Sequence, residues 1–287
     1  MKRVGIILAG GTGSRLFPIT YTISKQLLPI YDKPMIYYPL SILMLANIRE
    51  ILLITTSKDL VNYKNLLGDG SRFGLKISYK VQKEPRGLAE AFILGEEFIK
   101  KRPCALILGD NLFYGSDLQK KLIKVSKSNK NTIFAFKVSN PKEYGVIEFD
   151  NKNKVLSIQE KPIKPKSNYA AVGLYFYNNE VCKISKNLKP SKRGELEITD
   201  LNNILLKNQK LLVEKLGRGY AWLDTGNPNN LIDASTFIKT VQERQNIQIA
   251  SIEEIAFNKK WIDKNLLKKS VNIFKNSTYG EYLKSLL

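Results

Sequence analysis

Near its start the chain carries an apolar run that ends in a glycine-rich loop, Val4-Gly5-Ile6-Ile7-Leu8-Ala9-Gly10-Gly11-Thr12-Gly13-Ser14-Arg15-Leu16. A buried strand followed by glycines brings backbone N–H groups close to phosphate oxygens. Arg15 adds a forked cation that suits the same oxygens. The stretch therefore predicts a nucleotide or sugar-phosphate site at the carboxyl end of a buried strand.

Two well-known phosphate-binding motifs, the dinucleotide fingerprint and the P-loop, do not match this sequence. The dinucleotide fingerprint has a third glycine where this chain has Leu16, and Pro18 disfavours a long helix that starts there. The P-loop requires Gly-Lys followed by Ser or Thr, and the chain has no such run. Taken alone, a loop of this kind is more often a tight turn than a binding site. Its interpretation therefore depends on residues further along the chain.

The first half of the chain alternates between strand-like and helix-like segments. Helices are predicted over 38–46 and 88–100, and apolar runs predict strands over 4–8, 51–56, 77–81, 104–108 and 132–138. This rhythm predicts an α/β fold with a doubly wound, mostly parallel sheet and helices on both faces. Ligands of such sheets bind at the carboxyl ends of the strands, where both the glycine loop and Asp110 lie.

The second half is more mixed. Short strands are predicted over 146–149, 155–158 and 174–177, a helix over 229–248, and short lysine-rich helices from there toward residue 287. We expect a core over 1–238 with a small β-rich part, and a C-terminal helical extension over 239–287. Periodicity leaves open whether the extension packs against the core or against a neighbouring subunit.

The formal net charge of +20 over 287 residues is the strongest indication of a different function. Excess positive charge is typical of nucleic-acid binding. However, the lysines fall in short runs on predicted helix surfaces, without an arginine-rich tract, an aromatic-interleaved basic strand or a zinc spacing. We therefore favour a lysine bias of solvated faces and expect no nucleic-acid partner.

Other features of the composition limit the expected cellular location of the protein and the catalytic groups that it can use. The apolar runs are too short for a membrane span or a signal peptide, and two cysteines do not make a disulfide framework, so we expect a cytoplasmic protein without a membrane partner. The chain has no histidine, which excludes histidine triads, imidazole zinc sites and histidine bases. Nucleotidyl or phosphoryl transfer needs only the groups that remain, namely carboxylates, amines, guanidinium groups, backbone amides and a hard metal ion.

A series of motifs in order along the chain carries a family resemblance. These segments are 8–16, 24–29 (Ser-Lys-Gln-Leu-Leu-Pro), 31–38 (Tyr-Asp-Lys-Pro-Met-Ile-Tyr-Tyr), 108–111, 160–162, 193–200 (Arg-Gly-Glu-Leu-Glu-Ile-Thr-Asp) and 221–226. With them the chain resembles the sugar-phosphate nucleotidylyltransferases, and closely the bacterial glucose-1-phosphate thymidylyltransferases, from residue 2 to about residue 283.

The resemblance implies a Rossmann-like nucleotidyltransferase core and a defined reaction. In it, dTTP and α-D-glucose 1-phosphate give dTDP-α-D-glucose and pyrophosphate with Mg²⁺ as cofactor, as the first step of dTDP-rhamnose or other deoxysugar biosynthesis. The sugar phosphate attacks the α-phosphorus directly and in line, without a covalent enzyme intermediate. A UTP-dependent or other sugar-1-phosphate enzyme of the same fold remains the alternative.

The resemblance also implies roles for individual residues. Asp110 and Asp224 are the implied metal ligands, and Arg15, Lys25, Asp110, Lys161 and Asp224 are the implied catalytic residues. Implied nucleotide-binding residues are Leu8, Ala9, Gly10, Gly11, Thr12, Gly13, Ser14, Arg15, Lys25, Gln26, Gln82, Pro85, Gly87 and Asp110. Implied sugar-phosphate-binding residues are Asn111, Tyr144, Gly145, Glu160, Lys161, Ala171 and Tyr175. At Gln82 an amide offers a donor and an acceptor, which suits the imide edge of thymine.

The resemblance also implies a regulatory site and an assembly of several subunits. Its members are commonly homotetramers with a second nucleotide-sugar site at a subunit interface. Residues that fall where this site would lie are Gly115, Arg218, Gly219, Ala250 and Glu254. We therefore expect a homotetramer with feedback inhibition by a dTDP-deoxysugar such as dTDP-rhamnose.

Overall fold

The computed structural model describes residues 2–287. Its strands are β1 (Val4–Ala9), β2 (Pro29–Ile30), β3 (Lys33–Pro34), β4 (Glu50–Thr55), β5 (Lys76–Val81), β6 (Cys104–Leu108), β7 (Asn111–Gly115), β8 (Asn131–Lys137), β9 (Gly145–Phe149), β10 (Val155–Glu160), β11 (Tyr169–Tyr177), β12 (Leu211–Leu216) and β13 (Tyr220–Asp224). Its helices are α1 (Tyr37–Leu45), α2 (Leu60–Leu67), α3 (Glu90–Leu94), α4 (Glu96–Ile99), α5 (Leu118–Lys127), α6 (Glu180–Lys186), α7 (Ile198–Lys207), α8 (Pro228–Gln245), α9 (Ile252–Asn258), α10 (Lys264–Ile273) and α11 (Thr278–Ser285).

A nine-stranded sheet forms the centre of the molecule. Its strand order is β10-β9-β11-β6-β1-β4-β5, and β8 and β12 continue the sheet from β11. Strands β1, β4, β5 and β6 are mutually parallel, β12 is parallel to β8, and β11 runs antiparallel to its neighbours. All six residues of β1 are buried, as its unbroken apolar sequence predicts. The predicted α/β fold with a mostly parallel sheet is confirmed.

The order of the strands places a switch point between β1 and β6. From β1 the chain passes through α1 to β4 and through α2 to β5, and then returns past α3 and α4 to β6 on the other side of β1. Leu8 of β1 is in register with Leu108 of β6, and the Gly109 N–H donates to the Leu8 carbonyl over 2.9 Å. The loops that follow these two strands therefore leave the sheet side by side, which is where α/β sheets bind ligands.

A two-stranded antiparallel ribbon lies beside the switch point between β1 and β6. Strand β7, which follows Asp110 directly, pairs antiparallel with β13, and Asp224 faces Asn111 in the register. Neither strand is predicted from the sequence. Because β13 is more than a hundred residues further along the chain, no local pattern indicates this pairing.

The helix predicted over 88–100 is two short helices that meet at Gly95. A Cβ atom at Gly95 would lie 2.9 Å from the Ala91 carbonyl oxygen and 3.2 Å from Ile6 Cδ1, so the glycine allows close packing on β1. The strand predicted over 174–177 extends back to Tyr169, because its first half pairs with β8 and β9 and its second half with β6 and β8.

The C-terminal helices pack on the same chain. Helix α8 begins at the Asn227 cap, whose side chain accepts from the Asn230 N–H over 2.9 Å, and it runs across position 238 to Gln245. Ile252 of α9, Leu267 of α10 and Leu283 of α11 belong to the core cluster that also contains α1. Of the two arrangements that the sequence leaves open, the structure has the extension on its own core.

Helix α5 illustrates where the excess lysines lie. Leu118, Leu122 and Val125 of this helix are buried, whereas Lys120, Lys124 and Lys127 are exposed. The spacing of the buried residues is that of one helix face, and the lysines occupy the opposite face. Between residues 2 and 287, no helix combines the length and the apolar character that a membrane crossing requires.

Candidate active site

A cavity of about 290 Å³ opens at the carboxyl ends of β1 and β6. It is lined by all five residues predicted to be catalytic, namely Arg15, Lys25, Asp110, Lys161 and Asp224. The other predicted residues that line it are Leu8, Gly10, Gln26, Asn111, Tyr144, Gly145, Glu160, Ala171 and Tyr175. One cavity thus contains groups from sequence positions more than two hundred residues apart.

The glycine loop borders one end of this cavity, with Gly10 and Arg15 in the lining. Gly11 has φ +101° with open space where a Cβ would project, and Gly13 has φ +62°; both values favour glycine. Ser14–Leu16 form one short 3₁₀ turn and no long helix follows, which agrees with the effect expected of Pro18. The Thr20 hydroxyl donates to the Gly13 carbonyl over 2.8 Å. The loop thus remains short, with Arg15 in the wall of the cavity.

Asp110 follows β6 in the chain, after Gly109, and its carboxylate accepts hydrogen bonds from two side chains. Lys25 Nζ donates to its Oδ2, and Asn111 Nδ2 donates to its Oδ1 over 2.9 Å. Burial raises the pKa of the Asp110 carboxyl, but the Lys25 ammonium and the Asn111 amide outweigh this effect, and the net pKa lies below that of an ordinary aspartate. Asp110 is therefore ionised at neutral pH.

Asn111 connects this carboxylate to the rest of the fold. Its Oδ1 accepts from Trp222 Nε1 over 2.7 Å and from the Gly173 N–H over 3.1 Å, while its Nδ2 donates to Asp110. The amide thereby spans β7, β13 and β11, and a Cβ atom at Gly173 would lie only 2.6 Å from its oxygen. One N–H of the Asn111 amide remains free of these bonds.

Asp224 is the second carboxylate, brought to Asp110 by the β7–β13 ribbon. The Thr225 hydroxyl, next along the chain, donates to the Asp110 carbonyl over 2.9 Å. Burial, together with the negative charge of Asp110, raises the pKa of Asp224 to about 6, against the opposing charges of Lys25 and Arg15. Within the described part of the chain, no group donates a hydrogen bond to the buried Asp224 Oδ1.

These two carboxylates are a fitting donor set for a hard divalent cation. Mg²⁺ takes oxygen ligands and commonly uses one or two carboxylates, with phosphate oxygens and water in its other positions. An unpartnered buried oxygen on Asp224, beside an ionised Asp110, is the arrangement that such an ion stabilises. In residues 2–287 no three acidic or cysteine side chains are grouped so that they could hold a metal ion.

At the opposite end of the cavity, a network of hydrogen bonds and ion pairs surrounds Glu160. Glu160 Oε2 accepts from the Thr199 hydroxyl over 2.5 Å, and Arg193 Nη2 lies 3.5 Å from Glu160 Oε1. Arg193 also holds the buried Glu197 through both of its oxygens at 2.9 Å. Lys161 adopts φ +42°, uncommon for a residue with a side chain, and its N–H donates to the Tyr144 carbonyl over 3.0 Å.

The nucleotidyl transferase family model matches residues 4–241. The chain belongs to the nucleotidyl transferase family. It is therefore an enzyme of this class, and the predicted family resemblance is confirmed.

Relatives of this nucleotidyl transferase match nearly its whole length. It is 53% identical over 284 residues to the glucose-1-phosphate thymidylyltransferase of Neisseria meningitidis serogroup A, covering 99% of both chains. It is 51% identical over 283 residues to that of Mycobacterium tuberculosis, covering 99% of this chain and 98% of the relative. The crystal structure of a UDP-glucose pyrophosphorylase with UDP-glucose is similar with a TM-score of 0.73 and 27% identity, over 84% of this chain and 99% of that one.

Some predicted nucleotide-binding residues of the transferase lie beside the cavity lining rather than in it: Ala9, Gly11, Thr12, Gly13, Ser14, Gln82, Pro85 and Gly87. Gln82 is buried directly behind the loop, since a Cβ atom at Gly10 would lie 2.4 Å from its Oε1. The loop that contains Pro85 and Gly87 is fastened to Leu196, whose N–H donates to the Arg86 carbonyl over 2.7 Å.

Several cavity residues have no role in the sequence prediction. Arg193, Glu197 and Thr199 lie in the segment 193–200, and Trp222 lies in 221–226. Both segments contribute to the family resemblance, so the motifs mark these residues without indicating what each of them does. Only the contacts with Glu160 and Asn111 show how they support the site.

A second cavity of about 350 Å³ lies between α1, β7 and α9. Of the residues predicted for a regulatory site, Gly115, Ala250 and Glu254 line it, whereas Arg218 and Gly219 lie outside its lining, just before β13. Burial raises the pKa of Glu254 above its usual value.

Proposed function

We propose that this nucleotidyl transferase converts dTTP and α-D-glucose 1-phosphate into dTDP-α-D-glucose and pyrophosphate. The observation that carries the proposal is the meeting of Asp110, Asp224 and the glycine loop in one cavity at the switch point of the sheet. Relatives with this activity in their names are 51–53% identical to the chain over nearly its whole length. The chemistry of the cavity and the similarity of the full chain therefore support the same reaction.

On the nucleotide side, the triphosphate lies over the glycine loop with its charge facing Arg15 and Lys25. Backbone N–H groups of the loop and the two cations hold the β- and γ-phosphates, so that the leaving pyrophosphate departs with its charge neutralised. The sugar phosphate oxygen attacks the α-phosphorus in line, and no enzyme nucleophile is required. Catalysis in this scheme is alignment combined with charge stabilisation.

Asp110 and Asp224 hold the Mg²⁺ ion in this proposal. When bound, the ion screens the phosphate oxygens and favours attack at the α-phosphorus. Lys25 pairs with Asp110 Oδ2 in the structure. We expect its ammonium to turn toward a phosphate oxygen as the nucleotide binds, which frees the carboxylate oxygen.

On the sugar side, Lys161 holds the sugar phosphate against the α-phosphate, and Glu160 accepts hydrogen bonds from sugar hydroxyls. Thr199 and Arg193 fix the Glu160 carboxylate for this role. The remaining proposed pocket residues are Asn111, Tyr144, Gly145, Ala171 and Tyr175. Asn111 has one free N–H for a hydroxyl, because only its other N–H donates to Asp110.

On the base side, Gln82 reads thymine, with Pro85 and Gly87 beside the ring and Gln26 near the deoxyribose. A UTP-dependent enzyme is the competing proposal, and similarity to a UDP-glucose pyrophosphorylase is the observation that favours it. Uracil and thymine present the same imide edge, so the choice between them depends on the ring methyl group and on the 2′ position of the sugar.

Pyrophosphate release tests the proposal. The purified protein is given dTTP or UTP, with and without glucose 1-phosphate and Mg²⁺. We expect release that requires both substrates, stops when EDTA removes the metal, and has its highest kcat/KM with dTTP. A higher kcat/KM with UTP would favour the competing enzyme. No release with either nucleotide, together with salt-sensitive retention on DNA, would favour a nucleic-acid-binding role instead.

The proposal extends to assembly, location and regulation. We propose a cytoplasmic homotetramer that is inhibited by a dTDP-deoxysugar such as dTDP-rhamnose, bound at the cavity of Gly115, Ala250 and Glu254. The enzyme would then supply the first step of that deoxysugar's synthesis. Light scattering tests the tetramer, and activity that is unchanged at dTDP-rhamnose concentrations well above those of the substrates would contradict the feedback.

A further inference from the structure

The orientation of the Gln82 side chain is set by a carboxylate outside the cavity lining. Gln82 Nε2 donates to Glu90 Oε2 over 2.6 Å, and the same Glu90 oxygen accepts from the Arg86 N–H over 3.3 Å. Glu90 is the first residue of α3, immediately after the loop that contains Pro85 and Gly87. The amide oxygen Oε1 faces the glycine loop, where a Cβ atom at Gly10 would lie 2.4 Å away.

A carboxylate is an acceptor only, and this decides which end of the amide faces it. Rotating the Gln82 amide by half a turn would place Oε1 against Glu90 Oε2 at the distance of a strong hydrogen bond, with no hydrogen between them. Such a contact between two acceptors is repulsive, and Gln82 is buried, so water does not relieve it. The amide therefore has one orientation, with its oxygen and one remaining N–H available on the side of the glycine loop.

We propose that Glu90 is the positioning residue that makes this enzyme accept a thymine or uracil base and reject cytosine. The inference rests on the proposed function, in which Gln82 reads the base. The imide edge of thymine offers an N3–H donor next to the O4 acceptor, which matches Oε1 and the remaining N–H of Gln82. Cytosine offers an acceptor at N3 and a donor at N4, the reverse pattern, and it would require the amide orientation that Glu90 prevents.

The surrounding chain holds Glu90 in place for this role. The Glu90 N–H donates to the Gly87 carbonyl over 3.4 Å, and Gly87 has φ +98°. A Cβ atom at Gly87 would lie 2.5 Å from the Leu196 carbonyl oxygen, so the turn before Glu90 fits closely against the neighbouring loop. These contacts restrain the backbone from which the Glu90 side chain extends.

The test compares kcat/KM for dTTP, dUTP and dCTP, each with glucose 1-phosphate, in the wild type, E90Q and E90M. A glutamine at 90 both donates and accepts and a methionine does neither, so each variant allows both orientations of Gln82. We expect the dTTP-to-dCTP ratio of kcat/KM to fall by about tenfold or more in each variant, because one amide orientation now matches each base. The dTTP-to-dUTP ratio is expected to remain unchanged, since both bases have the same edge.

E84Q is the matched control. It removes the same charge from the loop that precedes Glu90, at an exposed glutamate that pairs with Arg86 instead of Gln82. We expect its base ratios to equal those of the wild type. Thermal melting identifies which of E90Q and E90M is folded, and either folded variant decides the question.

Two outcomes contradict the proposal and are distinguishable. If the wild type releases pyrophosphate with dTTP, and E90Q or E90M lowers kcat/KM for all three nucleotides in proportion, Glu90 merely stabilises the loop and the inference fails alone. If the wild type releases none with dTTP, the proposed function fails and the inference fails with it.

Discussion

Asp224 faces Asn111 across the β7–β13 ribbon, and this register places its carboxylate next to Asp110. Asp110 has Lys25 and Asn111 as hydrogen-bond donors, whereas Asp224 Oδ1 is buried with no donor among the residues that the structure describes. The two carboxylates therefore differ in their electrostatics. The Asp110 pKa is held below that of an ordinary aspartate, and the Asp224 pKa is raised to about 6.

The first prediction concerns catalysis. Asp110→Asn and Asp224→Asn should each lower kcat at least about a hundredfold, because an amide is a poor ligand for Mg²⁺ and leaves phosphate charge unscreened. Pyrophosphate release at saturating substrates measures this effect. Asp233→Asn, at an exposed position on α8, is the control and should retain wild-type activity. Near-normal rates in both active-site variants would remove the proposed metal site.

The second prediction concerns the pH dependence of stability. The folded-state pKa of Asp224, about 6, exceeds its value of 3.8 in a free aspartate, so the folded state binds the proton more tightly. The contribution of Asp224 to the free energy of unfolding is therefore most favourable at low pH. This contribution is lost as pH rises from about 4 through about 6. Asp224→Asn removes this penalty and should raise the free energy of unfolding at pH 8 by about 3 kcal/mol.

Urea denaturation without Mg²⁺ at pH 8 and at pH 4.5 measures that difference. The stability gain of the Asp224→Asn variant over wild type should shrink at the lower pH, because wild-type Asp224 is then protonated in the folded protein. An equal gain at both pH values would show that charge is not the cause. The same variant should be inactive, so stability and activity change in opposite directions.

The third prediction concerns a buried lysine between the β2–β3 hairpin and the C-terminal helices. Lys33 is 2% exposed, and its Nζ donates to Asp32 Oδ1 at 2.7 Å, to Gln248 Oε1 at 2.7 Å and to Gln242 Oε1 at 3.2 Å. Lys33→Met leaves Asp32 Oδ1 and Gln248 Oε1 without this donor, whereas Gln242 Oε1 keeps the Ile249 N–H. We expect the free energy of unfolding to fall by about 3–5 kcal/mol.

Equilibrium unfolding in urea measures the loss, with Lys239→Met as the control. Lys239 is exposed on α8, where its Nζ lies 3.7 Å from Glu243 Oε1, and its removal should change stability by less than about 1 kcal/mol. Similar changes in the free energy of unfolding for the two substitutions would mean that the Lys33 hydrogen-bond network does not stabilise the fold.

The fourth prediction concerns sugar selection. Thr199→Val keeps the shape of the side chain but removes the hydroxyl that donates to Glu160 Oε2. We expect KM for glucose 1-phosphate to rise about tenfold, the cost of losing one hydrogen bond to a charged group, while KM for dTTP stays constant. Steady-state kinetics with each substrate varied in turn provide the measurement. Thr240→Val on the exposed side of α8 should change neither constant, and a parallel rise in both constants for Thr199→Val would contradict a role limited to the sugar.

Local sequence patterns were sufficient to predict β1 and β6, the two parallel strands at whose carboxyl ends the cavity opens. The apolar runs at the positions of β1 and β6 predict buried parallel strands, because only a strand covered on both faces has no polar alternation. The break at Gly95 could not be predicted in this way. A glycine inside a helical pattern is compatible with one helix or two, and close packing against Ile6 belongs to the tertiary structure.

The sequence by itself determined the glycine loop, the parallel core and the family to which the chain belongs, because these depend on short contiguous patterns that chain neighbours define. Only the tertiary structure decided that Asp224 reaches Asp110, that Trp222 and Gly173 support Asn111, and that Glu90 orients Gln82. The Asp224, Trp222 and Gly173 contacts join residues far apart in the sequence, and all of these contacts depend on register and side-chain direction. Their geometry arises from packing of the whole chain, since local propensity carries no information about distant partners.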